Sequence, residues 1–388
     1  MALFESPIFV LAMLCFNVAI SEWLVKRTFF RHFGTALLVI VVTAVFANIE
    51  IIPTASDNSA LYGAIFNYVA PISIFFLLLS VNLRQLKEAG IPMLIMFLIG
   101  SAGTVIGVLI GMWAVNGADA LGGLYSAIGG MFTGTYTGGG INFNAIALHY
   151  NVMEQGTLFA GAVAVDNIMT TIWMIATIAL PKILMKLMPT PKLAKATAPD
   201  ANTAPESPSH ERETIDPLDL GIMLCLGFAV LWISNSLTDA LALSGVKVPS
   251  ILILTTIALI MAQMPVFQKL RGNQVLGMFS VYLFLAVVGA YCELAALAEI
   301  GEIGITLLWF ATILVVIHGI LTFGLGALFK QDWDLVAVAS QANIGGSTSA
   351  LALAKSFERN DLLLPAILVG SLGNGLGTYL GFIVAGII

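Results

Sequence analysis

Charge is scarce in this chain. Only 10% of its 388 residues are Asp, Glu, Lys or Arg, while 59% are hydrophobic. A soluble domain of this length carries roughly a quarter charged residues, so a water-soluble fold is excluded. The formal net charge of −6 excludes the basic face that nucleic acid demands, and no nucleic-acid partner is expected. Cysteine is scarce too. Cys15, Cys225 and Cys292 each fall inside an apolar stretch, which reads as packing and not as a disulfide framework or a metal site. Enzyme motifs are missing: no Walker A loop, no H-E-x-x-H and no pair of membrane carboxylates. The chain is therefore not expected to be an enzyme or to need a cofactor. No short basic segment with a cleavage site precedes the first apolar run, so that run is expected to be a span and not a removed leader.

Long hydrophobic runs are abundant. They lie at 6–25, 35–53, 61–82, 91–115 and 156–181, then at 218–243, 249–266, 274–297, 303–329 and 361–388. Runs of this length imply an all-α polytopic membrane protein of about ten transmembrane helices. A Pro-, Ala-, Ser- and Thr-rich stretch, 182–217, divides the chain and is expected to be a flexible cytoplasmic linker.

Two further segments, 122–149 and 334–357, are broken by TGTYTGGGINFN (133–144) and QANIGGSTSA (341–350). Basic residues collect in cytoplasmic loops, and their distribution discriminates between two topologies. If both broken segments are re-entrant hairpins and the N-terminus is outside, every one of the 16 basic residues except Lys247 falls on the cytoplasmic side. If both segments cross, the two sides share them equally. The count favours hairpins, with both termini outside. Arms of about ten residues, at about 1.5 Å per residue, reach the middle of a core about 30 Å thick.

The two halves, 1–181 and 218–388, repeat the same order of elements. Laying Gly139–Gly140 over Gly345–Gly346 brings Thr137 over Asn343 and Asn142 over Thr348. In the next span VDNIMTT lies over GNGLGT, which pairs Asn167 with Asn374 and Thr171 with Thr378. Matched loops differ in charge: NLRQLKEAG (82–90) is basic, while ELAALAEIGE (293–302) holds three glutamates and no basic residue. Opposite loop charge means opposite orientation. Inverted repeats with discontinuous helices characterise secondary transporters.

Irregular backbone survives at membrane depth only where it lines an enclosed cavity. At each tip one arm ends in free carbonyls, which attract a cation, and the next begins with free N–H groups, which attract a carboxylate. Thr135, Thr137, Asn142, Asn144, Ser347, Thr348, Ser349 and Asn374 are the candidate solute-binding residues. Asp166, Asn167, Thr137, Gln341, Asn343 and Thr378 are the ion-binding candidates, with Asp166, Asn167 and Asn343 as Na⁺ ligands. Asp166 carries the most weight, because a mid-span carboxylate is costly and functional by default. It is suited to Na⁺ or to a proton. His318, the one mid-span histidine, reads first as a satisfied core residue and second as a proton relay. Glu50 and Glu293 read as interfacial, with Glu293 a vestibule candidate.

The pair TGTYTGGGINFNAIA…AVDN and ASQANIGGSTSALALA…PAILVGSLGNGLGTYLG resembles the YjcL-like bacterial integral membrane proteins, a family long labelled as of unknown function. The same motifs look like the broken-helix motifs of the cation/proton antiporter and anion transporter superfamily. The resemblance implies scaffold and core domains, a homodimer in the bacterial inner membrane, and elevator-like transport. Asp166–Asn167 is similar to the acidic pair of the sodium/proton exchangers, but the order differs and no basic residue opposes it. That departure favours Na⁺-coupled movement of a small organic solute. The rivals are a cation/proton antiporter and an uncoupled channel or membrane sensor.

Overall fold

A computed structural model describes the chain outside residues 1–5, 29–34, 55–58, 82, 84–85, 190–215, 247 and 293–296. Most of the 182–217 segment, together with Arg31, Arg84, Lys192, Lys195, Arg212, Lys247 and Glu293, lies outside the described residues. Among those described there is no strand.

The longer helices are α1 (Pro7–Arg27), α2 (Thr35–Asn48), α3 (Ala60–Leu78), α4 (Ile91–Ala114), α5 (Tyr125–Gly138), α6 (Gly140–His149) and α7 (Gly156–Leu187). They continue with α8 (Pro217–Leu243), α9 (Ser250–Ala262), α10 (Asn273–Ala290), α11 (Leu297–Leu328), α12 (Trp333–Ser356) and α13 (Leu363–Ile387). Eight of these are long and apolar enough to cross a membrane, and α2 and α9 are shorter apolar helices. With the broken elements α5–α6 and α12 set aside, these ten are the expected spans. Helix α7 runs on through Pro181 to Leu187, further than the expected boundary at 181, because Lys182 and Lys186 can keep their charged heads in water from a helical stem. In α3 a π-turn, Ile65–Val69, precedes Pro71. Proline has no N–H to close the preceding turn, and the backbone widens there.

Both broken elements double back. A straight α12 of 24 residues would hold its ends about 36 Å apart. Instead Arg359, just beyond its C-terminus, donates through Nη1 to Asp332, its N-cap, at 2.7 Å. The reversal occurs at Gly346, with φ 73° and ψ −173°. In α5–α6 the reversal is at Gly139, φ 118°. There Asn142 Nδ2 donates to Gly134 O at 3.2 Å, and the rings of Phe132 and Phe143 lie 5.9 Å apart. Along one helix those rings would be about 16 Å apart. Each element thus starts and ends on one side of the bundle, the arrangement that the charge count favoured.

The break positions correct the internal register. Gly346 occupies the conformation that Gly139 occupies, whereas the sequence laid Gly346 over Gly140. A run of adjacent glycines is ambiguous in sequence, and the sign of φ resolves it. With Gly139 over Gly346, Thr137 lies over Ile344 and Asn142 over Ser349, while Asn167–Asn374 and Thr171–Thr378 keep their pairing. The same spacing sets Gly107 over Leu314, and these two touch: a Cβ on Gly107 would lie 2.7 Å from Leu314 O. Helices α4 and α11 therefore cross at the point where the two halves exchange.

Two bundles result. Helices α1–α3 pack with α8–α10, and α4–α7 pack with α11–α13. Contacts between the bundles run through α2 with α7, α3 with α6, α7 with α10 and α9 with α13.

Candidate functional site

The hairpin tips meet inside the second bundle. A Cβ on Gly346 would stand 3.1 Å from Gly138 O and 3.8 Å from the Cα of Gly139, so the two break glycines are within van der Waals contact distance of one another. Gly138 rests on the backbone of Gly373, the repeat mate of Asp166. A side chain at Gly138 would collide with the Gly373 backbone, and one at Gly346 would press on Gly138 O.

Amides and hydroxyls brace the tips. Asn142 donates to Gly134 O and to Gly373 O at 3.1 Å, and its Oδ1 accepts from Thr378 Oγ1 at 2.7 Å. Asn343 does the same in the other hairpin. It donates to Phe97 O and Ala339 O and accepts from Ser101 Oγ at 2.8 Å. Thr137 Oγ1 donates to Thr133 O. Gln341 Oε1 accepts from Thr177 at 3.1 Å, but its Nε2 is buried with no partner. These five residues, nominated from the sequence as solute or ion ligands, lie behind the tips, and all but Gln341 spend their polar groups on protein.

His318 belongs to the same bracing. Its Nδ1 lies 2.9 Å from Gly100 O and 3.0 Å from Thr104 Oγ1, and its Nε2 lies 2.8 Å from Ser340 Oγ. Gly100 O can only accept, so Nδ1 carries the hydrogen and Nε2 accepts from Ser340. Ser340 accepts in turn from Trp173 Nε1 at 3.0 Å. Thr104 donates to Tyr136 O, beside the first break. Sequence reasoning missed Ser101, Thr104, Ser340 and Trp173. The polar pair in LIGSAGTVIG, spaced by three on one helix face, was the available signal.

A cavity of about 410 Å³ opens beside the tips, between the two bundles. One wall comes from the hairpins and α7: Thr135, Gly139, Gly140, Ile141, Phe143, Asn144, Val163, Asp166, Asn167, Thr170, Ile344 and Gly345. The other comes from Leu77 of α3 and Met278, Val281 and Leu285 of α10. Thr35 of α2 and Tyr282 of α10 line it on the same side. There Thr35 Oγ1 donates to Glu22, which also pairs with Lys26 at 2.9 Å. Asp166 is enclosed by protein except toward this cavity, and accepts from Thr135 Oγ1 at a long 3.5 Å. The Tyr136 hydroxyl is close enough to feel the Asp166 charge but beyond ordinary hydrogen-bond reach. Asn167 donates to Val163 O at 3.0 Å. Among the described residues no lysine, arginine or histidine lines this cavity, and nowhere do three or more His, Cys, Asp or Glu gather as metal ligands.

Of the sequence-nominated residues, Thr135, Asn144, Asp166 and Asn167 therefore share one cavity. Ser347, Thr348 and Ser349 do not line it. Ser347 lies under Gly370, Thr348 is exposed, and Ser349 donates to Gly346 O at 3.1 Å. Asn374 approaches the first break, its Oδ1 3.7 Å from where a Cβ on Gly139 would be. Glu50, at positive φ after α2, is exposed.

At the base of the second hairpin, outside the spans, Arg359 binds Asp332, Asp334 and Asp361. Its guanidinium is raised above its ordinary value by the hydrogen bond to Asp361 and, against burial, by Asp332.

These features define a polytopic α-helical membrane protein with paired hairpins and a half-buried carboxylate on a cavity between its two bundles. The chain belongs to the family described as "Protein of unknown function (DUF819)", which matches residues 8–388. It is similar to the uncharacterized membrane protein YjcL of Bacillus subtilis (strain 168), 28% identical over 360 residues, covering 89% of this chain and 87% of the relative.

Proposed function

We propose that this protein is a secondary active transporter that couples a small, carboxylate-bearing organic solute to Na⁺. The observation that carries the reading is Asp166, an enclosed carboxylate that faces a cavity between two helix bundles at the meeting point of two hairpin tips. A half-buried carboxylate at membrane depth with no cationic partner favours an ion that neutralises it. Thr135 and Asn167 supply neutral oxygens beside it, a donor set suited to a hard monovalent cation. Helices α4–α7 and α11–α13 form the moving core, and α1–α3 and α8–α10 form the scaffold, in an elevator-like cycle. The basic residues support a bacterial inner-membrane protein with both termini outside and the 182–217 segment in the cytoplasm.

A second reading is a cation/proton antiporter, in which Asp166 carries a proton for half of the cycle. The Tyr136 hydroxyl beside that carboxylate favours it. Proteoliposomes with an imposed Na⁺ gradient separate the two. Na⁺-driven solute accumulation is expected. A pH change on Na⁺ addition that needs no solute would instead establish the antiporter, and gradient-independent flux would establish a channel.

A further inference from the structure

We propose that the solute is a monocarboxylate with an apolar body, its carboxylate at the hairpin tips and its body against α10. This rests on the transporter reading above and names the solute class. The two cavity walls differ in chemistry. On one side Gly140 and Ile141 open α6, a helix of 10 residues whose first N–H groups have no helical acceptor. Gly345 of the other tip completes that wall. Gln341 lies immediately behind it: a Cβ on Gly345 would stand 2.6 Å from Gln341 Nε2. That amide is wholly buried and without an acceptor. Folded proteins rarely leave such a group unpaired, and a ligand oxygen would complete it. Glycine at 345 adds no side chain of its own between that amide and the cavity. A cation on Asp166 would draw the same carboxylate to the same place.

On the opposite wall Leu77, Met278, Val281 and Leu285 offer no donor or acceptor, and the Tyr282 hydroxyl of α10 is already bonded to Thr35. A second carboxylate, or a row of hydroxyls, would lose its water there with nothing in exchange. One carboxylate and an apolar remainder fit both walls.

Hexanoate, adipate and gluconate share a carboxylate and a carbon count, and differ only in what meets α10. Their binding to the full-length purified protein is measured by thermal shift in Na⁺ and in K⁺, with uptake into proteoliposomes alongside. Hexanoate is expected to raise the midpoint in Na⁺ only, and to bind at least about tenfold more tightly than the other two. Gln341→Glu keeps the oxygen that Thr177 donates to but replaces the donor. It is expected to weaken hexanoate about tenfold or more while Na⁺ alone still stabilises the protein. Leu285→Gln is expected to narrow the gap between hexanoate and gluconate. Equal binding of adipate or gluconate, no effect of Gln341→Glu, or no hexanoate binding while Na⁺ still stabilises the protein would each overturn the solute class alone. Failure of Na⁺ to stabilise, with no accumulation of any solute, would overturn Na⁺ coupling and the solute class with it.

Discussion

Asp166 and His318 are both mid-span titratable residues, yet their surroundings set them apart. Asp166 meets Thr135 at 3.5 Å and opens on a cavity. Asp166→Asn keeps the shape and removes the charge, so it should abolish Na⁺-dependent uptake and the Na⁺-induced thermal shift. An unaltered Na⁺ dependence would remove Asp166 from the mechanism. His318 is satisfied on both nitrogens by Gly100, Thr104 and Ser340. His318→Ala strands those partners and should cost about 1–3 kcal/mol of stability. The pH profile of transport by the surviving folded protein should match that of the parent, and a shifted profile would restore the proton-relay reading.

The hairpins depend on features that local propensity does not supply. Arg359 makes four charge-assisted hydrogen bonds to Asp332, Asp334 and Asp361. The bond to Asp332 closes the base of α12. Arg359→Leu should lower stability by about 2 kcal/mol and raise protease sensitivity at residues 332–361. Wild-type proteolysis would show that the tips alone hold the hairpin. At the other end, Gly346 lies at φ 73° and ψ −173°, a region nearly closed to residues with a Cβ. Gly346→Ala should cost about 1–3 kcal/mol, measured by thermal midpoint. These two sites also show what sequence reasoning can see. The glycines and small polar residues marked the breaks, but the pairing of Arg359 with Asp332, 27 positions away, has no local signature.

In the proposed elevator-like cycle the two bundles move relative to one another. A Cβ on Gly375 of α13 would lie 3.4 Å from both methyls of Leu259 of α9, so this pair bridges core and scaffold. Mercury cross-linking of a Leu259→Cys, Gly375→Cys variant should stop solute uptake while Na⁺ still shifts the thermal midpoint. Full uptake by the cross-linked protein would exclude the elevator-like cycle.

Hydrophobicity and charge placement were sufficient for the class of protein, the number of spans and the return of each broken segment to its own side. Those properties follow from the cost of polar backbone in lipid and the bias of basic residues, and both are written along the chain. Which polar residues face the cavity was not legible. Asn142, Asn343 and Thr378 look as much like ligands as Asn144 and Asn167 do. Only packing across more than 200 positions, as in Thr378 to Asn142 and Ser101 to Asn343, turns some amides into braces and leaves others on the cavity wall. The apolar wall was invisible for the same reason: Leu77, Met278, Val281 and Leu285 read as ordinary span residues until the fold sets them opposite Asp166.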